Sequence, residues 1–333
     1  MARDMPVFYQ GLGTVTPVNT VLVKSRVDGE LMSIHFKEGD EVQAGDLLAV
    51  IDPRPFEVQR DQALGSLARD QALLRDATLD LARYRRLIKE ESISMQQLQS
   101  QEALVGQYTG AVATDKANVA DAELQITYCN ITAPISGRLG LKQVDQGNII
   151  RSSDADGIVV ITQMRPMQVV FTLVEKQLPF VLEAMNNARM AEPPAHLTVE
   201  AWDQGWENNL ATGELLTMDN QIDTATGTIK AKAEFKNDDD RLYPNQFVNA
   251  RLMVHTLAGV LTVPTSGIQR NTEGNFVYLV RPDDNTVQVR QIKTGYATSE
   301  ATVINEGLNQ GDIIVIDGTD RLREGVAVSF EDK

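Results

Sequence analysis

The chain has 333 residues, enough for two or three ordinary domains with a sizeable core. Its formal charge of −15 argues against a phosphate-binding surface, because nucleic-acid binders carry a basic footprint. The single cysteine, Cys129, excludes an internal disulfide framework and a cysteine-rich zinc site, and no apolar run approaches the roughly eighteen residues that span a bilayer.

The opening MARDMPVFYQ carries no signal-peptide pattern, which fits either a cytosolic protein or one trimmed of its export segment. The stretch VFYQGLGTVTPV, residues 7–18, reads as strand that joins one of the later β domains. Next, KSRVDGELMSIHFKEGDEV at residues 24–42 is nearly repeated by ITAPISGRLGLKQVDQGNII at residues 131–150. Aligned, Val27-Asp28-Gly29-Glu30-Leu31 falls on Ile135-Ser136-Gly137-Arg138-Leu139, and Glu38-Gly39-Asp40 falls on Gln146-Gly147-Asn148. The step from Gly29 to Gly39 equals that from Gly137 to Gly147, so the chain writes one small β unit twice, with glycines at turns that need positive φ.

Between the copies lie two helical patterns. Leu67, Leu74, Leu81 and Ile88 recur every seven residues, with Ala63, Ala77 and Tyr84 on the same face. Asp52 is the expected N-cap with Pro53 at the first helical position, and Arg83, Arg85, Arg86 and Lys89 crowd the far end, where cations oppose the helix dipole. ESISMQQ breaks the pattern; Leu98, Val105, Val112, Val119 and Ile126 restore it, and Ser94 followed by Gln97 has the form of a capping box. Two heptad helices of similar length with a short connection predict an antiparallel hairpin, each arm about 50 Å long. Gly65, Gly106 and Gly110 each cost such helices about 1 kcal/mol, and either close helix approach or a bendable arm accounts for them. The two β copies then become halves of one domain, split by a hairpin that leaves one edge and returns beside it.

From about residue 164 the period becomes two. GTIKAKAEF alternates Ile229, Ala231, Ala233 and Phe235 with polar residues, and QFVNARLMV does so with Val248, Ala250, Leu252 and Val254. Short strands separated by DNQIDTATG, KNDDDRLYPN and RNTEGN predict an antiparallel barrel or sandwich, with one short helix in VEKQLPFVLEAMNNARM. A second strand-rich section follows a boundary near residue 256.

The whole chain resembles the periplasmic adaptors, or membrane fusion proteins, of tripartite resistance-nodulation-division (RND) efflux pumps. The stretches that carry the likeness are GLGTVTP, SRVDGELMSIHFKEGDEVQAGDLLAVIDP, ITAPISGRLGLKQVDQGN, DNQIDTATGTIKAKAEFKNDDDRLYPNQFVNARL and GLNQGDIIVIDGTDRLREGVAV. The resemblance implies an α+β, mostly β, elongated multidomain fold. Residues 1–20 would supply strands to the barrel or membrane-proximal domain, 21–54 and 130–163 the two halves of a lipoyl-like domain, 55–129 a coiled-coil hairpin, 164–256 a β-barrel and 257–333 a membrane-proximal β domain. It also implies that the hairpin tip meets a TolC-like outer-membrane channel through an arginine, a leucine four residues on and a serine seven further, here Arg83, Leu87 and Ser94. Each has a plainer reading: a cation near a helix end, a seam residue and an N-cap.

The other partners implied are an inner-membrane RND transporter and further copies of this chain in a hexameric ring. The expected compartment is the periplasm at the inner membrane. Many relatives carry a lipidated amino-terminal cysteine; Cys129 is in the wrong place for that, and trimming of the membrane segment is the expected reason.

No cofactor or catalysis is expected. His35, His196 and His255 are not in metal-ligand spacing, and Gly11-Leu12-Gly13 lacks the third glycine of a dinucleotide site. Asp238, Asp239 and Asp240 read as a solvated turn rather than a calcium loop. Met164 and Met167 raise soft-metal efflux without the clustering it needs. Two alternatives stay open: an adaptor for an ABC-type or metal-ion exporter, and, from another class, a lipoyl or biotinyl carrier, whose modifiable turn would here be replaced by residues 55–128.

Overall fold

A computed structural model describes residues 2–281, 284–319 and 322–329. Small parts of the first and last expected domains, with two residues of the motif that ends in REGVAV, lie outside the described residues. In chain order the elements are β1 (Ala2–Pro17), β2 (Thr20–Val23), β3 (Gly29–Ile34), β4 (Glu41–Val42), β5 (Leu47–Ile51), α1 (Arg54–Leu87), α2 (Met95–Cys129), β6 (Asn130–Thr132), β7 (Gly137–Leu139), β8 (Ile149–Ile150) and β9 (Val159–Thr162). They continue with β10 (Met167–Val174), α3 (Leu178–Met190), β11 (Thr198–Trp202), β12 (Asn209–Asp223), β13 (Thr228–Phe235), β14 (Phe247–Pro264), β15 (Gln269–Asn271), β16 (Gly274–Arg281), β17 (Thr286–Ala297) and β18 (Ala301–Glu306). Two compact units result, one of Pro17–Pro166 and one of Met1–Thr16 with Met167–Lys333.

The first unit is a split β domain carrying the hairpin. Its sheets run β2-β9-β7-β4 and β6-β5-β3-β8. The two sequence copies interlock by exchange: β3 of the first pairs with β8 of the second, and β7 of the second with β4 of the first. The exchange is reciprocal down to single bonds. Gly39 N–H donates to the carbonyl of Leu139 (3.1 Å) and Gly147 N–H to that of Leu31 (2.9 Å); Leu31 N–H returns to Asn148 and Leu139 N–H to Asp40, both at 2.9 Å. Leu31 and Leu139 are buried at equivalent places in one core with Leu48, Ile51, Ile131 and Ile161. Neither half buries its apolar face alone, which is why the phrase is written twice.

The hairpin leaves from β5 and returns in β6, and these strands pair with each other, Ala49 opposite Ile131. Helix α1 starts at Arg54 with Pro53 at the N-cap, one residue later than expected. Asp52 still accepts the N–H of Arg54 (3.1 Å), but its carboxylate also clasps that residue's guanidinium (2.7 Å), which holds Asp52 below the usual carboxylate range. Ala77 and Leu81 of α1 and Val112, Val119 and Ala122 of α2 are buried along the hairpin, while Cys129 at the end of α2 joins the core of the split β domain.

The second unit contains a closed barrel. Strand order β1-β10-β13-β12-β11-β14 is completed by pairing of β14 with β1, so each barrel strand has two neighbours and no edge is left open. The two-residue period is met: Ile229, Ala231, Ala233 and Phe235 of β13 and Val248, Ala250, Leu252 and Val254 of β14 all point inward. Val181 and Ala184 of α3 are part of the same core. Gly11 and Gly13 serve this closure. A side chain on Gly11 would lie 2.0 Å from the carbonyl oxygen of Thr172 on β10.

One strand boundary differs from expectation. Asp219–Asp223 continues β12 rather than forming a loop, because Ile222 and Asp223 pair with Ile229 and Thr228 beyond a register shift. Strand β14 runs through the passage near residue 256 as far as Pro264, losing its buried alternation over His255–Leu261 before Thr262 and Val263 are both buried. Beyond that point β14 pairs with β18, and the sheet extends through β17, β16 and β15 around a small second core of Val263, Val277, Ile292 and Ile304.

Candidate functional site

The closed end of the hairpin is where the sequence concentrates its unusual features. The arms are tied just below it: Gln101 Nε2 donates to the carbonyl of Ala77 (2.9 Å), and Arg85 pairs with Glu102 across the helices (3.0 Å). Leu87, half-buried, is the last residue of α1. Its carbonyl accepts the N–H groups of Glu90 (3.2 Å) and Ser92 (3.0 Å), while Glu91 N–H reaches Ile88 (3.2 Å). This is the bond pattern of a Schellman closure, and the left-handed position falls on Glu91 at φ 55°. Glycine would fit there without steric cost; glutamate does not.

Ser94 then caps α2. Its Oγ accepts from Gln97 N–H (3.3 Å) and its own N–H donates to Gln97 Oε1 (3.0 Å), the reciprocal box that the sequence predicts. Arg83 lies one turn before Leu87, with 63% of its side chain exposed and Nη1 2.9 Å from Asp80 Oδ1. The fold thus brings Arg83, Leu87 and Ser94 to one end of the hairpin, with Leu87 and Ser94 bracketing the turn. Sequence reasoning missed Met95, which is 58% exposed beside Ser94. A flexible thioether at the start of a helix, where no seam position requires it, is the available signal.

The four motif glycines lie in the split β domain and divide into two kinds. Gly39 and Gly147 have φ of 85° and 90°, the turn geometry expected of them. Gly29 and Gly137 do not: they open β3 and β7, and their lack of a side chain allows close packing. A Cβ on Gly137 would sit 2.5 Å from the carbonyl oxygen of Thr162, and one on Gly29 2.6 Å from Ile51 Cγ2. The helical glycines also differ from one expectation, since a Cβ at Gly65, Gly106 or Gly110 meets nothing within 4 Å. Close approach of the two arms is therefore not what these glycines serve.

Elsewhere, His35, His196 and His255 are exposed, Met167 is fully buried in the barrel core, and Asp239 pairs with Arg241 (2.9 Å). Among the described residues no group of three His, Cys, Asp or Glu side chains is placed to hold a metal ion, and no helix is long and apolar enough to cross a membrane.

The chain matches three successive domains of one family: the barrel-sandwich hybrid domain of RND MFPs over residues 19–162, their beta-barrel domain over 166–256 and their C-terminal permuted SH3 domain over 259–321. The chain belongs to the RND membrane fusion proteins. Within this family it is 54% identical over 326 residues to the multidrug resistance protein MdtA of Yersinia pestis (strain Pestoides F), an alignment covering 98% of this chain and 73% of that one. To MdtA of Cronobacter turicensis it is 52% identical over 327 residues, covering 98% and 77%. The crystal structure of MacA from Actinobacillus actinomycetemcomitans shares the fold, with a TM-score of 0.58 at 20% identity, over 95% of this chain and 97% of that one.

Proposed function

We propose that this chain is a non-enzymatic periplasmic adaptor for multidrug efflux, linking an inner-membrane RND drug/proton antiporter to a TolC-like outer-membrane channel. One observation carries this reading: identity above half to proteins named multidrug resistance protein MdtA over 98% of the chain, a span that takes in all three domains. The energy for export then comes from the antiporter's proton coupling, and the chain seals and aligns the path.

The docking surface in this reading is the hairpin tip. Leu87 offers an apolar contact at the end of α1, Arg83 a charge one turn back, and Ser94 a hydroxyl at the start of α2, with Met95 beside it as an adaptable apolar neighbour. A narrow hairpin does not enclose a channel alone, so copies stand side by side in a ring, hexameric by family resemblance. The helical glycines support this arrangement. Each costs its helix about 1 kcal/mol, and a Cβ there would meet nothing within 4 Å, as expected of positions kept small for a neighbour.

The test is drug susceptibility in a strain that lacks this protein but retains its transporter. Full-length wild type should restore resistance to several unrelated drugs. No restoration across a broad panel would move metal or peptide export ahead.

A further inference from the structure

Arg251 stands on the outer wall of the barrel, where β14 passes between β1 and β11. Its sequence neighbours Ala250 and Leu252 point into the core, and its partners across the strands are Gln10 and Glu200. Two rings hold the guanidinium: its Cζ lies 3.8 Å from the centre of Phe8 and 5.4 Å from that of Trp202. Phe8 follows a register slip after Val7, the kind of bulge that re-aims a side chain. Its N–H donates to Tyr296 Oη (3.0 Å), and the Tyr296 ring packs against Met5, Ala301 and Val303. All of these residues belong to one compact unit.

Between this wall and the turn after β17 lies a cavity of about 370 Å³, a size within the range of small-molecule sites, with Arg251, Phe8, Gln177, Ala297 and Ser299 in its lining. Donors prevail in it. Arg251 Nε is at ion-pair distance from Glu200 Oε2 (3.0 Å) but off the line of a hydrogen bond, and that oxygen already accepts from Trp202 Nε1 (2.9 Å). The Nη groups find no acceptor among the described residues. Gln177 Oε1 is engaged by the N–H of Val174 (3.3 Å), which leaves its amide nitrogen as a donor, and Ser299 adds a hydroxyl at an exposed position. A carboxylate is a group that only accepts, and a guanidinium fork takes its two oxygens in parallel bonds. Glu200 sets the charge. With Arg251 it forms a neutral pair, so the donors hold one negative charge while the cavity offers no net positive charge to a second.

We propose that this cavity binds a small organic monoanion through its carboxylate, with Arg251 as the principal donor, Gln177 and Ser299 as further polar contacts, and Phe8 and Ala297 against the apolar body. The two rings and the Glu200 carboxylate fix the guanidinium before the ligand arrives, which lowers the ordering cost of binding. The proposal goes beyond the docking role of the hairpin tip and stands without it.

The experiment is a ligand-observed NMR titration of the full chain with benzoate, alongside benzamide as its neutral counterpart and phenyl phosphate, at about pH 8 where the phosphate carries two charges. Benzoate should bind with a Kd on the order of 1 mM, ordinary for so small a molecule, and about tenfold more tightly than either counterpart. Arg251→Gln should weaken benzoate about tenfold or more, and Ser299→Trp, which fills the cavity from an exposed position, should abolish its binding. Glu200→Gln keeps an acceptor for Trp202 and removes the opposing charge, so it should tighten benzoate and admit phenyl phosphate. Four results overturn the proposal: no benzoate binding to wild type, a counterpart bound as tightly as benzoate, wild-type affinity in Arg251→Gln, or wild-type affinity in Ser299→Trp. Should Arg251→Gln fail to fold, Glu200→Gln decides by its gain, and unchanged benzoate affinity there refutes the site.

Discussion

A methyl group added at Gly11 and one added at Gly106 should move stability in opposite directions. At Gly11 the new Cβ would lie 3.1 Å from the Thr172 carbonyl carbon and 2.0 Å from its oxygen, the latter more than an ångström short of ordinary contact. Both atoms are backbone, so no side chain can swing aside. Strand β1 would have to retreat from β10, in a sheet whose strands normally sit about 4.8 Å apart, and the barrel's closing pairs would weaken. Overpacking of this kind costs about 3 kcal/mol, the upper part of its usual range. In a unit of this size that lowers Tm by about 6–12 °C. At Gly106 the methyl enters open space, and replacing glycine by alanine inside a helix gains about 1 kcal/mol. Scanning calorimetry of the two purified variants, with circular dichroism at 222 nm to follow the helices, reads both effects. A Gly11→Ala protein that melts within about 2 °C of wild type, or a Gly106→Ala hairpin that melts earlier, would refute the reasoning from contact geometry.

Three further outcomes are expected. Glu91→Gly should relieve the left-handed strain at the hairpin turn and stabilise the tip by about 1 kcal/mol, seen as slower exchange of the Ser92 amide; faster exchange would contradict it. Asp28 accepts from the N–H (2.6 Å) and hydroxyl (2.9 Å) of Ser152, bonds that lower its carboxyl below the usual range. Its contribution is present above the unfolded titration and is lost as pH falls through the folded one, so Asp28→Asn should flatten the acid limb of the stability profile and leave its alkaline limb in place. Cys129 is buried and its thiol is pushed up by that burial, so maleimide labelling should be slow in the folded chain and rapid in denaturant; rapid labelling of native protein would show that the root of α2 opens.

What was legible in the sequence was local. The heptads announce the hairpin, the alternation of β13 and β14 marks the barrel wall, and Ser94 with Gln97 announces the start of α2, because each depends on neighbours within a few residues. The repeat was legible as well, though only the strand exchange explains why Leu31 and Leu139 need each other. What was hidden depends on distant partners. Gly29 and Gly137 look like turn glycines until Ile51 and Thr162 are seen against them. The lengths of β1 and β14 are set by their pairing with each other, so the sequence does not show that one strand runs through the boundary near residue 256. At the tip the three expected residues could be placed, whereas the strained Glu91 and the exposed Met95 needed coordinates.

The central claim is that the hairpin tip couples this adaptor to a channel, and Leu87→Asp tests it most directly. The variant is introduced as full-length protein, at matched expression, into a strain lacking the wild type, and drug susceptibility is measured alongside the melting of the purified chain. A charge at this half-buried position should abolish resistance while the barrel and split β domain melt as in wild type. A folded Leu87→Asp protein that restores resistance as fully as wild type would contradict the account.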